Sequence, residues 1–145
     1  MIRVGPGDFD VAAELAALHA RAGDAGAVAT FTGHVRGDDG LIALILEHYP
    51  AMTEREIARH VEAAKKKWPL LGVSVIHRVG RLVPGERIVF VAAAAAHRRA
   101  AFEACEFLMD YLKVHAPFWK REEHADGTRW VEAKQVDDEA AKRWR

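Results

Sequence analysis

The sequence predicts an α+β fold with antiparallel-rich sheets and three main helices. The predicted elements follow one another as β-α-β-β-α-β-β-α-β-β with a short helical segment at the end, so pairs of strands lie between single helices. Strands joined by short connections form antiparallel hairpins, whereas a doubly wound parallel sheet needs a helix after each strand. The length of 145 residues, half of them hydrophobic, fits a single domain over residues 1–145 with a proper core.

Composition excludes several classes of function. The 21 basic and 21 acidic residues cancel, so the chain has no global field that attracts nucleic acid or an anionic membrane. No apolar run approaches the ~20 residues of a membrane span, and the N-terminus lacks a signal-peptide pattern. Cys105 is the only cysteine, so neither an internal disulfide nor a cysteine cluster for a metal can form. We therefore expect a cytoplasmic protein.

The first four elements are predicted from local patterns. Ile2 to Val4 is a short strand, and Asp8 is expected to cap a helix that continues to about Arg21. Residues 27–35 are predicted to form a central strand, because small and apolar residues fall on both of its faces. Residues 41–49 are very apolar and are predicted to close a hairpin with that strand.

The next elements have clearer start and stop signals. Thr53 and Glu56 match a capping box, which predicts a helix to about Trp68. A strand over residues 73–79 follows, and the Pro84–Gly85 pair fits the centre of a type II turn.

Five segments complete the predicted order. Residues 87–96 form a strand whose alanine run suggests tight packing against a neighbouring helix. A helix from about Arg98 to Lys113 comes next, and residues 118–123 and 128–134 form a hairpin around Asp126–Gly127. Residues 137–145 are predicted to be a short helix or a frayed, mobile tail.

The third long helix carries a candidate catalytic lysine. Most of its circumference is apolar, so it should be largely buried, with Lys113 at the edge of a narrow polar stripe. An ammonium there is expected to be partly desolvated, which makes it a better proton donor or nucleophile. The alternative is that Lys113 only complements the helix dipole and pairs with Asp110 three residues earlier.

Lys120 favours the catalytic alternative. It follows Phe118 and Trp119 on the next strand, so it is not expected to be an ordinary solvated lysine. Two lysines seven residues apart are thus held by two different elements, each fixed by bulky apolar neighbours. Both could serve one site.

Two further segments could bind an anion. His97 and Arg98 lie where a strand turns into a helix, and backbone N–H groups at a helix N-terminus favour negative charge. Arg36 ends a strand beside a loop rich in glycine and aspartate, from which it could reach a ligand. The alternatives are that His97 only caps its helix, and that Arg36 pairs with Asp38 or Asp39.

The remaining histidines and the cysteine indicate no metal site. His48 and His77 lie in apolar strands and are predicted to be hydrogen-bonded core or interface residues, while His60 is predicted to be at the surface. No spacing matches a metal motif. Cys105 falls on an apolar helix face, where a thiol is usually inert.

Several segments together resemble the large, catalytic subunit of molybdopterin synthase, over nearly the whole chain. The matching segments are Phe-Thr-Gly-His-Val-Arg at 31–36, Leu-Glu-His-Tyr-Pro at 46–50, the run from alanine to His-Arg at 92–98, Tyr-Leu-Lys at 111–113, Ala-Pro-Phe-Trp-Lys-Arg-Glu at 116–122 and Arg-Trp-Val-Glu-Ala at 129–133. The resemblance implies an α/β-hammerhead-like fold and a homodimer.

The resemblance also implies a reaction and a partner. In that family a small ubiquitin-like sulfur carrier ending in Gly-Gly, activated as a thiocarboxylate, threads its tail into the large subunit. Two sulfurs are delivered to cyclic pyranopterin monophosphate, giving the dithiolene of molybdopterin. Two carriers and two large subunits form a heterotetramer, and no cofactor is involved. Since the chain lacks an exposed cysteine candidate, arrival of sulfur on another molecule is consistent with its composition.

The site residues implied by the resemblance fall on the segments already singled out. The two catalytic lysines of the family match Lys113 and Lys120. The substrate-binding residues match three short segments: His34, Val35 and Arg36; His97 and Arg98; and Arg121 and Glu122 beside Lys120. Which lysine performs which step, and which chain of a dimer supplies the anion ligands, stays open.

Two other functions compete with this one. The chain could be a non-catalytic dimeric scaffold that docks a ubiquitin-like tail through a sheet edge or pocket. An RNA-binding role for the lysine run at residues 65–67 is opposed by the neutral net charge and by the lack of interleaved aromatic residues.

Overall fold

A computed structural model describes residues 1–131 and 135–144, and within them the chain forms four α-helices and two four-stranded sheets. The elements occur in the order β1 (Ile2–Gly5), α1 (Val11–Ala22), β2 (Ala27–His34), β3 (Ala43–His48), α2 (Pro50–Lys67), β4 (Leu70–Arg78), β5 (Gly80–Leu82), β6 (Arg87–Ala95), α3 (Arg98–Val114), β7 (Phe118–His124), β8 (Gly127–Val131) and α4 (Gln135–Lys142). A 3-10 turn, Asp38–Gly40, lies between β2 and β3. No helix among these residues is long and apolar enough to cross a membrane.

The two sheets are mostly antiparallel. The first sheet has the order β1-β4-β6-β2 and the second β5-β3-β7-β8. Within the described residues only the β1–β4 pair is parallel. The predicted α+β fold with antiparallel-rich sheets is therefore confirmed.

The alanine-rich strand β6 lies at the centre of the core. Every residue from Phe90 to Ala95 is completely buried. Alternate side chains serve different layers: Val91, Ala93 and Ala95 pack under α2 and α3, whereas Phe90, Ala92 and Ala94 pack against α1. The predicted tight packing of the alanine run is confirmed, because small side chains let helices approach closely on both faces.

The position predicted for β2 is wrong. In the described part of the chain β2 pairs only with β6 and forms an edge of the first sheet. Its apolar pattern arises because both faces are covered by helices, with Ala29 in the cluster under α3 and Val28 in the cluster under α1. A strand covered on both faces has the composition of a central strand wherever it lies in the sheet.

The predicted hairpin between β2 and β3 is also wrong. After β2 the chain crosses to the second sheet, where β3 pairs with β5 and β7. The crossing is fixed by Val35, whose N–H donates to the carbonyl of Glu86 at 2.9 Å and whose carbonyl accepts from Gly85 at 2.8 Å. Because β5 has only three residues, its periodicity was too short to be predicted from sequence.

Both predicted helix caps are displaced. Asp10, not Asp8, accepts from the N–H of Ala13 at 3.1 Å and caps α1. Helix α2 begins at Pro50, which suits a first helical position because proline lacks an N–H. Thr53 therefore lies inside the helix, where its buried hydroxyl donates to the carbonyl of Tyr49 at 2.9 Å.

Two predicted turns are confirmed. At the Pro84–Gly85 turn the N–H of Glu86 donates to the carbonyl of Val83 at 3.1 Å, and Gly85 has the positive φ of 93° that a type II turn requires. Gly127, with φ 127°, follows the tight connection between β7 and β8. The part of the predicted strand from 132 to Lys134 lies outside the described residues.

The predicted C-terminal helical segment forms α4, which packs on α3. Beyond its last turn, Arg143 forms ion pairs with Glu106 and Asp110 of α3. The Trp144 ring lies 5.7 Å from the rings of both Trp68 and Phe107. This packing joins the ends of α2 and α4 to the exposed side of α3.

Gly26, which immediately precedes β2, should tolerate no side chain. A Cβ there would lie 2.2 Å from the carbonyl oxygen of Ala96, which is backbone and cannot turn aside. We expect Gly26→Ala to lower the free energy of unfolding by about 1–3 kcal/mol in urea denaturation. Gly7→Ala is the matched control, since its Cβ would meet nothing within 4 Å. Equal stability of the two variants would contradict the packing described.

Candidate active site

The two candidate lysines both lie near one buried imidazole, that of His77. His77, in β4, continues the face that packs under α2 and α3 through Val73 and Val75. The pKa of His77 is lowered to about 4, mainly by burial and also by the positive charges of Lys120 and Lys113, while a hydrogen bond to the backbone opposes the shift. The structure therefore brings the ends of both lysine side chains within electrostatic range of the same group.

Phe118 connects this imidazole to Lys120. Its ring stacks on His77 with centroids 4.0 Å apart and planes 20° apart, and it lies 6.1 Å from the ring of His48. Residues two apart on a strand share a face, so Lys120 follows Phe118 toward the end of α3. Lys120 is half-buried. Phe118, the bulky neighbour noted in the sequence, thus fixes β7, the strand that carries Lys120.

Both histidines beneath the lysines are hydrogen-bonded, as predicted. Nδ1 of His77 lies 2.8 Å from the carbonyl oxygen of Arg78. Nδ1 of His48 lies 3.2 Å from the hydroxyl oxygen of Thr53. These bonds hold the two rings on either side of Phe118.

Lys113 is more exposed than predicted. It lies in the last turn of α3 and is exposed in the protomer, because the helix ends where the first sheet ends. The alternative pairing with Asp110 is also wrong, since that carboxylate binds Arg143 and Trp144 instead. Among the described residues Lys113 forms no ion pair, so its ammonium is accessible to an anionic ligand.

The residues after Lys120 divide between the two faces of β7. Arg121 points away from Lys120, forms an ion pair with Glu47 and lies 5.3 Å over the ring of Trp130. Glu122 shares the face of Lys120, and its carboxylate lies 2.9 Å from Nε2 of His124. Only Glu122 of this pair therefore lies on the same strand face as Lys120.

The segment after β2 reaches the same end of the first sheet. His34 is exposed opposite Arg87, at the start of β6. Val35 is buried, and its backbone hydrogen bonds fix the chain before Arg36. Arg36 is exposed and its Nε lies 3.3 Å from a carboxylate oxygen of Asp38, which is the alternative considered from the sequence.

His97 and Arg98 lie far from the lysines of their own protomer. They stand exposed at the N-terminal end of α3 and line a shallow hollow with Phe102. His97 is the N-cap residue but makes no side-chain capping bond. Since α3 has 17 residues, its two ends are separated by about 25 Å. One protomer therefore carries two separate clusters of candidate residues.

Cys105 is buried, as predicted. Its Sγ lies 3.7 Å from the carbonyl oxygen of Val91, and burial raises the pKa of the thiol to about 11. His60 is half-buried rather than fully exposed, because its ring stacks on buried Tyr111 with centroids 3.4 Å apart. Burial lowers the pKa of His60. In the described ranges no three His, Cys, Asp or Glu side chains group to hold a metal.

The role of His77 was missed from the sequence. Its signal was present, as a histidine in an otherwise apolar strand, but spacing could not show which side chains face it. That information comes from the pairing of β4 with β6 and the stacking of Phe118 from the second sheet.

Comparison with known proteins assigns the family. The family model described as MoaE protein matches residues 4–115. The chain is 57% identical over 147 residues to the molybdopterin synthase catalytic subunit of Mesorhizobium japonicum, covering 99% of this chain and 92% of the relative. The chain belongs to the MoaE family.

Solved structures of MoaE relatives agree with the fold. A molybdopterin biosynthesis MoaE protein from Burkholderia ambifaria superimposes with a TM-score of 0.86 at 51% identity, over 99% of this chain and 97% of that one. A Helicobacter pylori protein in a complex of subunits 1 and 2 of molybdopterin-converting factor shares the fold, with a TM-score of 0.76 at 23% identity over 92% and 90% of the chains.

The buried His77 should make stability depend on pH. The unfolded chain binds a proton at this residue below about pH 6.5, whereas the folded chain stays neutral there until about pH 4. The free energy of unfolding should therefore fall as the pH drops from 6.5 to 4, by about 3 kcal/mol from this residue.

The measurement is urea denaturation across that pH range. His77→Gln should flatten the slope, even if it lowers stability throughout. His19→Gln, at an exposed position on α1, should keep the wild-type slope. A slope unchanged by His77→Gln would show that this imidazole is not held neutral.

Proposed function

We propose that this protein is a molybdopterin synthase catalytic subunit that transfers sulfur to cyclic pyranopterin monophosphate. The sulfur comes from the C-terminal thiocarboxylate of a small ubiquitin-like carrier ending in Gly-Gly. The protein acts as a single domain in the cytoplasm, without a cofactor of its own. Membership of the MoaE family and the name shared by its relatives support this reaction.

The observation that carries the assignment is that Lys113 ends α3 and that Lys120 lies on β7, two residues beyond Phe118, whose ring stacks on His77. Both lysines are near enough to His77 for their positive charges to lower its pKa. A thiocarboxylate is an anion, and two ammonium groups near the same buried imidazole can provide it with a counter-charge. The buried, neutral His77 adds no charge of its own. Since the described part of the chain offers only a buried thiol, sulfur is expected to arrive on the carrier.

The lysines have a clear chemical task. The carrier's sulfur forms a bond to a substrate carbon as that carbon's bond to an oxygen breaks, and the departing oxygen takes up a proton. Water then cleaves the bond between that sulfur and the carrier's carbonyl carbon, so the sulfur stays on the substrate. The carrier leaves as a carboxylate whose new oxygen comes from water. Negative charge develops on oxygen in these steps, and an ammonium within reach can stabilise it or donate a proton.

The substrate phosphate needs a second cationic group. We propose that His97 and Arg98 supply it from the partner protomer of a homodimer, with His34, Val35 and Arg36 in the same phosphate site. The separation of about 25 Å along α3 supports this arrangement, because one protomer cannot bring both clusters to one small molecule. Arg121 and Glu122 hold the strand around Lys120, and Glu122 borders the substrate.

Two carriers bound to one such dimer give a heterotetramer. The Helicobacter pylori neighbour, solved as a complex of two subunits, is consistent with a small partner subunit. The dimer's two-fold symmetry would create two equivalent sites, each completed by the other protomer.

Lys113→Ala and Lys120→Ala should each slow product formation by about 10²-fold or more, because each removes a group that stabilises developing charge. The assay combines purified protein, thiocarboxylated carrier and cyclic pyranopterin monophosphate, with circular dichroism to verify the fold. Lys66→Ala, at an exposed lysine of α2, is the matched control. Full activity in both lysine variants would refute the assignment, and carrier binding without any product in the wild type would favour a scaffold.

Mixed dimers test whether the site is shared. Lys113→Ala and Arg98→Ala homodimers should both be impaired. In an equimolar mixture of the two chains, about half of the dimers are mixed and each has one intact site, so about a quarter of wild-type activity should return. If each site lies within one protomer, mixing restores nothing. Size-exclusion chromatography establishes that exchange has occurred.

A further inference from the structure

All three carboxylates on α3 are engaged by groups other than Lys113. Glu103 accepts from Arg99 at 2.9 Å and from the indole of Trp68 at 3.2 Å. Glu106 binds Arg143. Asp110 is the nearest of the three to Lys113 along the helix.

Asp110 has two partners, both from the segment after α4. Its Oδ2 accepts from a guanidinium N–H of Arg143 at 3.1 Å and from the indole N–H of Trp144. The Asp110 side chain is only 17% exposed. Both donors converge on one carboxylate oxygen, which fixes the direction in which this side chain points.

The packing that holds the two donors is extensive. The Trp144 ring meets Trp68 and Phe107 edge to face, and the ammonium of Lys67 lies 5.4 Å over the Trp144 ring. The same ammonium lies 3.4 Å from the Trp144 carbonyl oxygen. We name Arg143 and Trp144 with this packing the α4 clamp.

We infer that the α4 clamp is a positioning device that withholds the Asp110 carboxylate from Lys113. Residues three apart on a helix are neighbours, so an unclamped Asp110 could turn toward the Lys113 ammonium and neutralise it. Held by Arg143 and Trp144, Asp110 leaves that ammonium available to an external anion. This role rests on the proposed function of Lys113. Arg143 and Trp144 would favour binding of the thiocarboxylate indirectly, without touching it.

The expected effect is on binding more than on turnover. A competing ion pair between residues three apart must be broken before the carrier's anion binds, and such a pair contributes a few tenths of a kcal/mol to about 1 kcal/mol. The KM for thiocarboxylated carrier should therefore rise about two- to five-fold when the clamp is removed, with kcat changed less.

Three variants of the full chain test the inference in the complete assay with carrier and pterin. Arg143→Gln with Trp144→Phe removes both donors to Asp110 but keeps an aromatic ring against Trp68 and Phe107. Adding Asp110→Asn to this pair removes the competing charge. Arg59→Gln, at an exposed ion pair on α2, is the matched control.

We expect a raised KM for the double variant and a wild-type KM for the triple variant, although the melting temperatures of both should be lowered alike. A purely structural role for the clamp would leave the KM of the triple variant as high as that of the double variant. A wild-type KM in the double variant would also overturn the inference. Lys113→Ala in the same assay separates the two questions, since its full activity would refute the role of Lys113 itself.

Discussion

The packing of α3 on the alanine-rich strand β6 is the constraint on which the rest of the structure depends. Small side chains along β6 let the helix lie close to the sheet, and Ala101, Ala104 and Leu108 fill the contact. The helix then has to run the full length of the strand in the opposite direction. His97 and Lys113 are consequently held at opposite ends of the first sheet, so the two clusters of candidate residues are separate within one protomer.

The second sheet contributes Phe118 and Lys120 at the end of the first sheet where Lys113 lies. Phe118, the first residue of β7, belongs to the contacts of both the large core cluster and the smaller cluster of the second sheet. The packing of its ring against His77 is therefore a contact that connects the two sheets. Lys120 lies two residues after Phe118, so this packing sets its position relative to α3.

The sequence predicted a residue's surroundings best where they depend on a single helix or strand. The bounds of α3, the alanine packing of β6 and the buried Cys105 followed from local pattern. The pairing of β2 and β3 did not, because a strand covered by helices on both faces looks central in composition. The partners of Asp110 could not be predicted, since Arg143 and Trp144 lie more than thirty residues away in the chain. His77 was read correctly as hydrogen-bonded, but its two cationic neighbours come from other elements.

Cys105 offers an intrinsic reporter of this architecture. It is the only cysteine of the chain and lies beneath α3, against β6. An alkylating reagent can reach the thiol only when the helix lifts from the strand, and the raised pKa of the thiol slows the reaction further. The labelling rate of the native protein therefore measures local opening of the α3–β6 contact. The thiol thus stays closed off from the solvent for as long as this contact is intact.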